Sequence, residues 1–291
     1  MNVFGKKHYD IILKRELPEG GFAVQVNGHY RPDATAWAVL ALRAARLSPE
    51  AVSRAQTRLV KDQQPDGRVV FSSDLPDSFW PTPLAVLAWQ GSPQQEAQKS
   101  LAVDFLIKIQ GRHFLNPKDS PLDHNTVLQG WPWTDNTHSW IEPTALSVLA
   151  LTVIGQGRHP RVREAVAMIA DRQLPSGGWN YGNRKVFGQE LYPQPDQTGI
   201  ALSALEGQVP ESRVASSLHY LAKTVKRLNT PFSLGWGMMG LSAWGKAPEE
   251  KNELLKRCLN FQNRYGPYET ASYCILLCSY FASAGLLHLM A

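Results

Sequence analysis

The chain has 291 residues, 43% of them hydrophobic and 19% charged, enough to bury a substantial core in one large domain or two small ones. Its formal net charge of +5 is mild and its Lys and Arg are scattered apart from Lys223, Lys226 and Arg227, which argues against a nucleic-acid partner and leaves an anionic head group or diphosphate open. Three cysteines, Cys258, Cys274 and Cys278, give no disulfide framework and point to a reducing compartment.

Residues 1–16, MNVFGKKHYDIILKRE, hold no apolar run of signal-peptide length, so a cytoplasmic location is expected, with peripheral membrane contact left open. Within them residues 5–15 predict an amphipathic helix. After a turn at ELPEGGFAV, Asp33 opens DATAWAVLAL, in which an acidic or bulky residue is followed closely by Thr and then by an Ala/Leu-rich run. The same signature recurs as WPTPLAVLAW from Trp80, EPTALSVLAL from Glu142 and DQTGIALSAL from Asp196, with degenerate copies at Phe232 and Glu269. Most copies are preceded by a Gln and a Gly-rich turn: DQQPDGRVVF before Trp80, Gln110-Gly111 before Glu142, RQLPSGGWNYGN before Asp196, FQNRYGPY before Glu269. The two signatures move together, since Thr35 to Thr82 and Gln63 to Gln110 both span 47 residues.

Charged, amphipathic segments fill the intervals, at Pro49–Gln63, Gln94–Gln110, Pro160–Gln173, Glu211–Leu228 and Pro248–Gln262. Helices with one apolar stripe belong outside and those apolar on nearly every side belong inside. The pattern therefore predicts six outer helices alternating with six inner ones. An open solenoid would carry polar capping repeats, yet the last repeat is among the most apolar stretches. The expected fold is all-α: a closed α6/α6 toroid in a single domain, residues 1–291, with all inner-helix N-termini at one end. Residues 271–291 are long enough to cross a bilayer, but Ser272, Ser279, Ser283, Gly285 and His288 dilute them, so a buried last helix is expected instead.

The Gln173, Gly178, Trp179 turn and the Ala/Leu-rich inner helices resemble the prenyltransferase and squalene-cyclase repeat family over nearly the whole chain. The resemblance implies an α/α barrel and an isoprenoid or similar apolar ligand. Squalene, oxidosqualene and class II diterpene cyclases start carbocation cascades with the middle Asp of an Asp-x-Asp-Asp motif. Aligned on Thr144, this chain has Trp140, Ile141, Glu142 and Pro143 there, so Glu142 takes the proton donor's place and the flanking acids are missing. Those cyclases also pair the toroid with a second helical domain. The zinc-holding Asp of prenyltransferase β subunits, two residues before the Cys, is here Lys256.

The stretch from Gly130, GWPWTDNTHSWIEPT, gathers the candidate chemistry. Glu142 is the candidate acid, with His138 and Asp135 as neighbours that set its state. Trp131, Trp133, Trp140, Trp179, Trp236, Trp80 and Tyr181 are the candidate substrate-binding aromatics, whose π faces suit cationic intermediates. Asp33 and Asp196, in the equivalent slot of other repeats, and the Asp74/Asp77 pair are secondary acidic candidates. The slot is equally readable as a helix cap. Residues 111–141 lack helical periodicity and are expected to lid the ring mouth. Their His113, Asp119, Asp123 and His124 match no metal spacing, and no metal or cofactor is implied. Asn180, Asn183, Arg184 and Lys185 read as a solvated loop with an anion-binding alternative.

The function expected is thus terpene-cyclase-like, with Glu142 starting a cyclisation or isomerisation. The rival is a non-catalytic toroid that grips a peptide or partner protein. A partner subunit or a homodimer in place of the missing domain is left open.

Overall fold

A computed structural model describes residues 3–115 and 123–290. Among them, twelve α-helices alternate as outer and inner members of two rings. The outer set is α1 (Lys6–Leu13), α3 (Pro49–Val60), α5 (Glu96–Lys108), α7 (Pro160–Asp171), α9 (Glu211–Thr224) and α11 (Lys251–Tyr265). The inner set is α2 (Pro32–Ala44), α4 (Thr82–Trp89), α6 (Ile141–Val153), α8 (Pro195–Leu205), α10 (Pro231–Ala243) and α12 (Thr270–Phe281). Each inner helix packs on the next, and α12 packs back on α2, so the ring closes. The expected α6/α6 toroid is the observed fold.

The inner helices bury nearly every side chain, which is why their sequences carry no polar stripe. Outer helices such as α3 and α7 bury one face only. Proline at the first helical position of α2, α8 and α10 presets the backbone where an N–H has no partner to lose. The closest approach is α8 on α10: a Cβ on Gly199 would stand 2.3 Å from the Trp236 carbonyl oxygen, so only glycine fits. Buried Trp37 of α2 and Trp236 of α10 meet edge to face inside the ring, 5.4 Å between centroids.

The repeat threonine is a latch. The backbone N–H groups of Phe22, Val69, Trp131 and Trp179 donate to the Oγ1 atoms of Thr35, Thr82, Thr144 and Thr198 at 2.9, 2.9, 2.8 and 3.0 Å. Each bond ties the end of a turn to the first turn of the inner helix that follows, at the fourth residue of α2, α6 and α8 and at the first of α4. In the last repeat Thr270 closes the ring instead, its Oγ1 donating to Ala23 O at 2.6 Å and accepting from Arg15 Nη1 at 3.1 Å. The turn glutamines add a second staple, Gln173 Nε2 donating to Ser217 Oγ of α9 at 2.7 Å.

Two sequence-level expectations need adjusting. The residue paired with Thr144 is Trp131, so Gly130-Trp131, and not Gln110-Gly111, completes the third turn. The segment after Asn180 is not only loop: Lys185–Val186 and Gln189–Glu190 form a two-stranded antiparallel hairpin with Phe187 at its tip. The apolar C-terminal stretch is α12 of the inner ring, and no helix among the described residues is long and apolar enough to cross a membrane. Cys258, Cys274 and Cys278 are buried in the packing of α11 and α12.

Candidate functional site: carboxylates at the ring mouth

Asp33, Glu142 and Asp196 are each the second helical residue of α2, α6 and α8. A carboxylate at that position ordinarily stays ionised, because the uncapped N–H groups and the helix dipole favour negative charge. Asp33 is buried and gripped on both oxygens by Arg31, at 2.8 Å each. Asp196 accepts Ser233 Oγ at 3.2 Å and Gln197 Nε2 at 3.0 Å.

Glu142 departs from this pattern. Its carboxyl is pushed up to about 7, chiefly because burial disfavours the charged form. The Gln197 hydrogen bond to Oε2, 3.3 Å long, works in the opposite direction, and the neighbouring carboxylates Asp196 and Asp33 add to the rise. The side chain keeps a minor share of its surface open at the mouth while protein packs around it. Near neutral pH it is therefore a weak acid with a proton to give.

Aromatic rings border these acids. Trp140 is the N-cap of α6 and half-buried. Its neighbour Tyr181 is 55% exposed, and its hydroxyl is pushed up by burial and by Asp196 and Glu142, which places it within electrostatic reach of both. Trp80 occupies the register position of Glu142 in the second repeat; its ring packs edge to face on Trp133 at 5.6 Å and stacks with Phe71 at 5.7 Å. The Arg31 guanidinium, which holds Asp33, lies 4.5 Å over Phe71. A groove of about 340 Å³ lined by Trp140, Asn180, Tyr181, Leu191, Tyr192 and Gln194 opens beside Glu142's helix.

Other sequence candidates lie elsewhere. Asp135 is bound to Arg68 at 2.8 Å, and His138 is exposed with its ring against the Arg112 carbonyl and Phe114, so Glu142's state is set by Gln197, Asp196 and Asp33. Trp131, Trp179 and Trp236 are fully buried; the first two donate their indole N–H to Leu106 O and Ile169 O, which fastens turns to outer helices. Asp74 and Asp77 sit in an exposed turn, Asp77 O accepting the Asp135 N–H. Asp119 lies outside the described residues. Among the described residues no group of His, Cys, Asp or Glu is placed to hold a metal. Gln197 and Arg31, which the sequence did not single out, are the residues that hold the acids; their only sequence signal was that Gln197 follows Asp196 and Arg31 stands two residues before Asp33.

No protein-family model and no curated protein sequence matches the chain. Solved structures do. An α-amylase from Clostridium perfringens superposes with a TM-score of 0.64 at 11% identity, over 97% of this chain and 98% of that one. The type II terpene cyclase MstE from Scytonema, in complex with geranylgeranyl dihydroxybenzoate, gives 0.58 at 11%, over 97% and 95%. A GH76 α-mannanase from Bacteroides thetaiotaomicron gives 0.59 at 10%, over 96% and 94%. Identities this low speak for the toroid fold alone.

Proposed function

We propose that this protein is a terpene-cyclase-like enzyme in which Glu142 protonates a carbon–carbon double bond of an isoprenoid or similarly apolar chain lying across the ring mouth. The observation that carries the reading is the carboxyl near 7 at a mouth bordered by half-exposed aromatic rings. The Glu142 O–H bond breaks as a C–H bond forms, leaving a carbocation that the faces of Trp140, Trp80 and Trp133 stabilise. The cascade ends when a C–H next to the cation surrenders its proton to solvent, and Glu142 is reprotonated from solvent. In this reading burial keeps the donor protonated, and Asp196 on the adjacent α8 and Asp33 on the more distant α2 add to that. Because Trp37 and Trp236 fill the ring below, the chain lies in the groove at the mouth and not down the bore.

Incubation with a panel of polyprenyl substrates in D2O tests this, with products examined by gas chromatography and mass spectrometry. A product carrying one deuterium, lost in Glu142→Gln, is expected; turnover that survives the substitution removes the role.

One observation favours the second reading, a non-catalytic docking module: the interior is packed, while Tyr181, Phe187 and Tyr192 are 55, 89 and 86% exposed on one side of the mouth. A wild-type protein inert toward every polyprenyl substrate would favour it.

A further inference from the structure

We propose that the chamber behind Trp140 is a binding site for a tetrahedral oxyanion, a phosphate or sulfate group, held by the Arg172 guanidinium together with Asn183 and Ser139. The chamber measures about 160 Å³ and is lined by Arg172, Asn183, Ser139, His113, His124 and His138 among others. Trp140 and Asn183 line both this chamber and the groove beside Glu142's helix.

Arg172 is the reason to expect an anion. It is only 6% exposed, and burying a cation is costly unless it is paired and fully hydrogen-bonded. One bond to a carbonyl is present, Nη1 to Gly182 O at 2.6 Å. The Asp171 carboxylate stands 3.6 Å from Nε, beyond hydrogen-bond reach, and accepts the Asn125 N–H at 2.9 Å; Nε has no hydrogen-bond partner among the described residues. Arg161, equally buried and likewise without a partner at Nε, differs in its terminal nitrogens: they donate to three carbonyls, of Gln129, Ile109 and Gly130, and the guanidinium lies 4.1 Å over the Trp131 ring. A tetrahedral anion in the chamber would supply Arg172 with the acceptors it lacks, in addition to the Asp171 charge at 3.6 Å.

Ser139 and His113 add a proton link. His113 Nδ1–H donates to Thr126 O at 3.0 Å, so in the neutral ring Nε2 accepts the Ser139 hydroxyl at 3.1 Å. A proton on His113 turns Nε2 into a donor and releases that hydroxyl hydrogen toward the chamber. Burial holds His113 and His124 below the usual imidazole value, so this happens on the acid side of neutrality, and a bound anion draws it upward. The other charges nearby are Asp171 and Asp123, the latter 3.5 Å from Arg184 and from Lys185, and the more distant Arg161 and Glu164.

Isothermal titration calorimetry of the intact protein with sodium sulfate, whose charge is constant over the range, is the test. One saturable site is expected, tighter at pH 6 than at pH 8. Loss of a charge-assisted bond predicts binding at least about tenfold weaker in Arg172→Gln, and roughly threefold weaker in Asn183→Ala or Ser139→Ala, which decide the matter if the first variant does not fold. Glu142→Gln should bind sulfate as wild type does, so this site and the proposed acid chemistry stand or fall separately. Inorganic phosphate against a prenyl monophosphate then distinguishes a free anion from a head group. No saturable heat, or unchanged affinity in all three chamber variants, overturns the proposal.

Discussion

Glu142 and Asp196, from adjacent inner helices, accept the same amide: Gln197 Nε2 stands 3.3 Å from Glu142 Oε2 and 3.0 Å from Asp196 Oδ2. One buried nitrogen thus holds two carboxyl groups side by side where α6 and α8 begin. Burial, with Asp196 and Asp33 within electrostatic reach, pushes the Glu142 carboxyl up to about 7.

Replacing Glu142 by Gln is expected to cost about 10²–10⁴-fold in turnover of a productive polyprenyl substrate, the usual worth of a positioned proton donor. Product formation per unit time, measured for both proteins at saturating substrate, checks it. Wild-type activity should also decline as pH rises past about 7, because the donor empties.

Stability should follow the same titration. The folded carboxyl holds its proton up to about 7 against an ordinary value of 4.5, so the folded state binds more protons in between. The stabilisation that this uptake provides is complete below about 4.5 and is lost as pH rises through 7, by at most on the order of 3 kcal/mol. Denaturant melts from pH 4.5 to 8 should show wild type losing ground relative to Glu142→Gln across that window.

Asp196→Asn removes a negative neighbour and should move the alkaline limb of the pH–activity profile to lower pH, with the acid limb in place. A profile identical to wild type would mean that Asp196 does not set the state of Glu142.

How much of this was legible in the sequence depends on range. The Thr35 to Thr82 register and the apolar inner helices report local packing, so the number of hairpins and their inner or outer place could be read directly. Closure was inferred from the apolar last repeat and is made by Thr270 reaching Ala23, a contact across the whole chain. The shared slot of Asp33, Glu142 and Asp196 at one end of the ring could be read, but not the Gln197 amide that joins Glu142 to Asp196, because residues 142 and 197 meet only when α6 packs on α8. Neighbours in sequence misled for the same reason: Asp135 and His138 are close to Glu142 along the chain, but the turn carries them to Arg68 and to the Arg112 carbonyl. Tryptophans were assigned to the mouth by composition, whereas Trp131 and Trp179 serve as turn anchors whose indole N–H needs a carbonyl in the wall.

The latch threonines carry a stability prediction. Thr144→Val keeps the shape and strands the buried Trp131 N–H, which should cost about 1–3 kcal/mol in a denaturant melt. Thr152→Val, whose hydroxyl has no hydrogen-bond partner among the described residues, should cost less.

Gly199→Ala should be worse than either. Its new Cβ meets the Trp236 carbonyl at 2.3 Å, and neither α8 nor α10 can yield without moving its ring neighbours, so a loss of about 3 kcal/mol or more is expected. A melting temperature within a degree or two of wild type would show that the two helices are not in backbone contact.

The most direct test of the account is the titration of Glu142 itself, followed as the difference in carboxyl infrared absorbance between wild type and Glu142→Gln from pH 4 to 9. A single carboxyl titrating near 7 in the wild type and missing from the variant is the predicted result. A Glu142 signal that titrates near 4.5, as a solvated helix cap would, contradicts a proton donor at the ring mouth.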